Sequence, residues 1–122
     1  MSGKPRLLFV DDEPEILDLL TYTFRDFDTD TALNSDAALE ILRQKHFDVL
    51  VTDIKMPGTP GFTLIDCARK LSPGIVIIVI TGHHQEIPEE ARQKVSQWIL
   101  KPFSLQVIRG AVLSSLDKAA DR

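Results

Sequence analysis

The sequence predicts a doubly wound α/β sandwich: a five-stranded parallel sheet with helices on both faces. Three observations predict it. Short apolar runs alternate with segments whose apolar residues recur at helical spacing, the pattern of repeated βα units. Ile75 to Ile80 is apolar throughout and mostly β-branched, as suits a central strand covered on both faces. Asp28 to Ala32 is short and polar, as suits an edge that meets water. Right-handed crossovers then favour the strand order 2-1-3-4-5.

Each element has a local warrant. Arg6–Val10 is a short apolar strand ending on Asp11-Asp12-Glu13. Pro14 follows, well placed at a helix start because its missing N–H would be unpaired there. Ile16, Leu17, Leu20, Phe24 and Phe27 form one apolar face, giving a helix from about Pro14 to Arg25. After the edge strand, Ser35 or Asp36 is expected to cap a helix ending near Lys45, with Ala38, Leu39 and Leu42 inward. Val49–Asp53 is apolar up to its final residues, and Met56 to Gly61 is a breaker-rich loop. A helix from about Phe62 to Leu71 turns Leu64, Ile65 and Ala68 inward. After the Ile75–Ile80 strand, Pro88 starts a weak helix to about Lys94, with Glu89 and Glu90 where the dipole favours them. Gln97–Leu100 is the last strand. Ser104 caps the final helix, which carries Leu105, Ile108, Val112 and Leu116 on one face and ends near Ala119. Gly110 inside it costs about 1 kcal/mol relative to alanine.

With 122 residues, one domain covering 1–122 is expected, its core running from about residue 5 to 119. The net charge of −4 and the absence of a basic run argue against direct nucleic-acid binding. No segment has the apolar length of a membrane span, and the N-terminus shows no signal region. The lone Cys67 allows no internal disulfide and fits a reducing cytoplasm.

Parallel strands place all their carboxyl ends on one rim, where open α/β sheets bind ligands. That rim collects Asp11, Asp12, Asp53, Thr81 and Lys101. Three neighbouring carboxylates repel one another and need counter-charge. Lys101 supplies one positive charge, and Mg²⁺, which favours a few carboxylates with waters and phosphate oxygens, suits the remainder. Thr81 adds a hydroxyl donor. Such a set suits a phosphoryl group arriving at one carboxylate. Each residue alone has an ordinary explanation as a helix-start carboxylate, a turn former or a strand end; their joint occurrence is what points to chemistry. His83 and His84 lack a third spaced ligand for a transition metal, and no P-loop or Gly-x-Gly-x-x-Gly pattern occurs.

These residues carry a resemblance over nearly the whole chain. Val10-Asp11-Asp12-Glu13, Asp53-Ile54-Lys55-Met56-Pro57-Gly58, Thr81-Gly82 and Lys101-Pro102-Phe103 resemble the receiver domains of two-component response regulators, which have the flavodoxin-like (βα)5 fold. The resemblance implies that Asp53 accepts a phosphoryl group from a histidine kinase or phosphotransfer protein. It implies Mg²⁺ ligation by Asp12, Asp53 and the backbone carbonyl of Lys55, with Asp11 acting through a metal-bound water. Thr81 and Lys101 would hold the phosphoryl oxygens, and the Lys101–Pro102 bond would be cis. Trp98, where the family usually has Tyr or Phe, would turn inward as Thr81 moves, remodelling the face made by the Pro88 helix, the last strand and the final helix. Lys55 and His83 would set the acyl-phosphate lifetime, with Lys55 favouring slow autodephosphorylation.

Two alternatives stand beside this reading. Small Mg²⁺-dependent aspartyl-phosphate phosphohydrolases usually carry a second Asp two residues after the nucleophile, where this chain has Lys55. A degenerate receiver serving only for docking would lack site residues that are present here. A self-modifying switch, not a substrate-processing enzyme, is therefore expected. Its partners would be a kinase and an unidentified output domain or target. Dimerisation through the last-strand face is a further expectation, with Val107 and Ala111 facing outward. No output segment follows the final helix, which fits either a stand-alone receiver or one domain of a longer regulator.

Overall fold

The computed structural model describes residues 4–54, 61–82 and 89–120. In chain order the elements are β1 (Arg6–Val10), α1 (Pro14–Thr23), β2 (Asp28–Ala32), α2 (Ser35–Gln44) and β3 (Val49–Asp53). They continue with α3 (Gly61–Leu71), β4 (Val76–Thr81), α4 (Glu89–Arg92), β5 (Gln97–Leu100) and α5 (Leu105–Ala120). The sheet is parallel throughout, in the order β2-β1-β3-β4-β5. This is the predicted doubly wound, flavodoxin-like sandwich.

Side chains of period two divide the core between the two faces. Leu7, Phe9, Val49, Val51, Ile78 and Ile80 meet Leu17, Leu20 and Phe24 on the α1 side and Ile108 and Val112 of α5. Leu8, Val10, Leu50, Ile77 and Val79 meet Leu39 and Leu42 of α2 and Leu64, Ile65 and Ala68 of α3. Every residue of β4 is buried, which explains its unbroken apolar run. Burying each of its large side chains contributes roughly 1.5–3 kcal/mol. No helix among the described residues is long and apolar enough to cross a membrane.

Several boundaries differ from the sequence reading. α1 stops at Thr23 because the chain turns there: the Phe24 N–H donates to the Leu20 carbonyl and the Arg25 N–H to that of Tyr22. Phe24 and Phe27 still reach the core from this turn. The cap of α2 is Asn34, whose Oδ1 accepts from the Ala37 N–H at 2.8 Å, while Ser35 is fully buried at the first helical position. β4 starts at Val76 and includes Thr81. The described part of α4 ends at Arg92, short of Lys94. Ser104 does cap α5, its Oγ accepting from the Val107 N–H. Val107 is exposed as expected, but Ala111 is buried, because α5 lays Ile108, Ala111, Val112 and Ser115 on the sheet.

Candidate functional site

The strand register explains how the rim is assembled. Val10 lies beside Thr52, so Asp11, one step on, comes level with Asp53 at the end of β3. Asp53 lies beside Ile80, which puts Thr81 one step further along β4. Thr81 lies beside Leu100, and the Lys101 N–H donates to the Thr81 carbonyl at 3.0 Å. Short apolar strands thus deliver one polar residue each, just where the sheet stops.

Asp53 is only 4 % exposed. Its Oδ2 accepts from the Lys101 ammonium at 2.5 Å, a charge-assisted contact that holds the carboxylate at the rim. Asp11 and Thr81 are also buried. The Asp11 Oδ1 accepts from the Glu13 N–H at 2.9 Å. Burial raises the Asp11 carboxyl above its ordinary value; the Glu13 hydrogen bond opposes this, and the Asp53 charge adds to it. For Lys101, burial alone would lower the ammonium. The hydrogen bond and charge of Asp53, with Asp11 and Glu13 behind, outweigh burial and raise it above the ordinary lysine value.

Asp12 is exposed beside Asp11. One carboxylate oxygen from each of Asp11, Asp12 and Glu13 lies within 4.8 Å of the others. Glu13 was not singled out as a site residue from the sequence. Its signal was the unbroken Asp-Asp-Glu run, and the turn that brings its N–H back to Asp11 gathers the three. A buried carboxylate of raised pKa amid further carboxylates is a donor set of hard oxygens, and it fits a hard divalent cation.

Trp98 is half-buried on β5, level with Val79 and packed against the α2–α3 side of the core. The Lys101–Pro102 peptide bond is cis. Lys55 and His83, as well as the turn at Met56–Gly58 and the helix start at Pro88, lie outside the described residues.

Comparison with known proteins agrees with this geometry. Residues 7–113 match the family model described as the response regulator receiver domain. The transcriptional regulatory protein GlrR of Escherichia coli is 30% identical over 98% of this chain, which spans 28% of GlrR. The chemotaxis protein CheY of Pseudomonas aeruginosa is 32% identical over 85% of this chain and 90% of its own length. Among solved structures, the response regulator TrrA of Thermotoga maritima in complex with Mg²⁺-BeF is 27% identical. It aligns over 91% of this chain and 98% of its own, with a TM-score of 0.81. The chain belongs to the response regulator receiver domain family, the regulatory domains of two-component systems.

Proposed function

We propose that Asp53 is the phosphoacceptor of a Mg²⁺-dependent switch, served by a sensor histidine kinase or a phosphotransfer protein. The observation that carries this is the buried Asp53 carboxylate on the Lys101 ammonium, with Asp11 beside it and Thr81 on the next strand. In the transfer, the P–N bond of a phosphohistidine breaks and a P–O bond to an Asp53 oxygen forms. The imidazole leaves with the electron pair and takes up a proton.

Asp12, Asp53 and the Lys55 carbonyl would hold Mg²⁺, with Asp11 acting indirectly. Bound there, the cation would neutralise the charge of the phosphoryl oxygens in flight. Lys101 exchanges its contact with the Asp53 carboxylate for one with a phosphoryl oxygen, and the Thr81 hydroxyl donates to another. Movement of Thr81 towards the phosphoryl group lets Trp98 turn inward and remodels the face of α4, β5 and α5. That face would meet the output domain or target, or a second copy of the chain, in the cytoplasm. Lys55 and His83 would limit water access to the acyl phosphate.

The test is intact mass after incubation with acetyl phosphate, with and without Mg²⁺, on the wild type and on Asp53→Asn. One added phosphoryl group that requires both Mg²⁺ and Asp53 is expected. Mg²⁺ binding with no adduct, and steady release of inorganic phosphate, would instead mark a phosphohydrolase. Neither adduct nor Mg²⁺ binding would leave a docking module.

A further inference from the structure

At the opposite end of the sheet lies a polar cleft of about 380 Å³ between the start of β4, the α4–β5 turn and the end of α5. The six residues of β4 separate it from the rim by about 17 Å. Its lining includes Arg69, Lys94 and Lys118. Among the described residues, the carboxylate engaged there is that of Asp66, whose Oδ1 accepts from the Lys94 ammonium at 2.6 Å. Three positive charges against one negative is a local excess in a chain of net charge −4.

Arg69 forms no ion pair among the described residues. Its guanidinium donates to the carbonyls of Pro73, Ile75 and Lys94 at 3.0, 2.5 and 2.6 Å. An arginine has five N–H donors in a fixed fork, so these bonds aim the group and leave donors over. Burial lowers its proton affinity, the mark of a desolvated cation that an anion would relieve. The hydroxyl oxygens are oriented too. Ser96 Oγ accepts from the Ile77 N–H at 3.0 Å, and Ser115 Oγ accepts from the Gln97 side-chain amide at 2.8 Å. Each serine therefore keeps its hydrogen to give. The lining carries three cationic side chains and no carboxylate of its own among the described residues, which suits an oxygen-rich anion.

We propose that this cleft binds a diphosphate group through Arg69, Lys94 and Lys118, at a site separate from Asp53. Arg69 supplies the planar fork, Lys94 and Lys118 the point charges, and Ser96 and Ser115 the neutral donors. Free diphosphate and a nucleoside diphosphate share this chemistry.

The test is an amide chemical-shift titration of the full chain with inorganic pyrophosphate, and separately with ADP, in EDTA so that no metal bridges the anion to the acidic rim. Saturable shifts centred on Lys94 to Gln97, Ser115 and Lys118 are expected with both probes. Equal affinities would mean that the diphosphate alone is read; tighter ADP would mean that the nucleoside adds contacts. Lys118 is exposed and outside the core, so Lys118→Glu should fold normally and weaken binding roughly threefold to fivefold. Shifts that do not saturate, that centre on Gly82 and Lys101, or whose affinity is unchanged in Lys118→Glu would overturn the proposal.

Discussion

Asp11 is held in conflict: buried, hydrogen-bonded by the Glu13 N–H, and pressed by the neighbouring Asp53 charge. Its carboxyl is raised above the ordinary 3.8. A raised acid contributes stability that is fully present below its unfolded value and lost as pH rises through its folded value. The metal-free protein therefore carries a penalty at neutral pH. Asp11→Asn should melt above the wild type in EDTA at pH 7.5, and the gap should close as pH falls below 3.8, in melts at matched pH. A cation relieves the same repulsion: Mg²⁺ at about a hundred times its Kd should add about 2.7 kcal/mol to the wild type. Asp12→Asn should lose most of that gain. Lys101 presents the converse case. Lys101→Met takes the ammonium away from a buried carboxylate and should cost about 1–3 kcal/mol by urea unfolding, while adding Asp53→Asn should recover part of it. Asp53 and Lys101 were legible in the sequence because each ends an apolar run. Glu13 was not, although it sits in the same acidic run, because a carboxylate just before a helix start has an ordinary explanation there, and only the turn that brings its N–H back to Asp11 gathers the three side chains.

At the scale of single elements, two substitutions separate local propensity from packing. Asn34→Ala removes the acceptor for the Ala37 N–H and should cost about 1 kcal/mol. Ser35→Ala removes a buried hydroxyl with no protein partner among the described residues and should cost less, as denaturant midpoints would reveal. Asn34, Ser35 and Asp36 are all good cap formers, and the sequence pointed to Ser35 or Asp36; the helix begins at buried Ser35, so the cap falls one residue earlier, on Asn34. Gly110 lies inside α5, and a Cβ built there meets nothing within 4 Å. Gly110→Ala should therefore stabilise the protein by about 0.5–1 kcal/mol in the same assay. α5 also shows why outward positions are hard to read from large apolar residues alone. Its inner face includes the small residues Ala111 and Ser115, which permit close approach to the sheet.

Across the whole molecule, the strand order was legible because apolar continuity tracks depth: polar β2 lies at one edge and β4, wholly buried and apolar up to its final Thr81, lies inside. Long-range ties between elements were not legible, since surface charges carry no positional pattern. Arg109 of α5 is such a tie. It grips Asp26 with two bonds at 3.1 and 2.8 Å, donates to the Thr23 carbonyl, and stands over the rings of Phe24 and Phe27. The Arg109 hydrogen bond holds the Asp26 carboxyl below its ordinary value. A depressed acid contributes stability that is present above its unfolded value and lost as pH falls through its folded one. Asp26→Asn should thus lower the unfolding midpoint at pH 7, and the deficit should vanish in strong acid. Arg69 and Lys94 make a second tie. Lys94 gives its ammonium to Asp66 and its carbonyl to Arg69, two residues three apart on α3. This double rivet fixes the foot of β5, whereas Trp98 and Leu100 stand further along the strand. A strand pinned at its foot behaves as a lever with its fulcrum at Lys94. Any displacement is then smallest beside the basic cleft and grows towards the acidic rim.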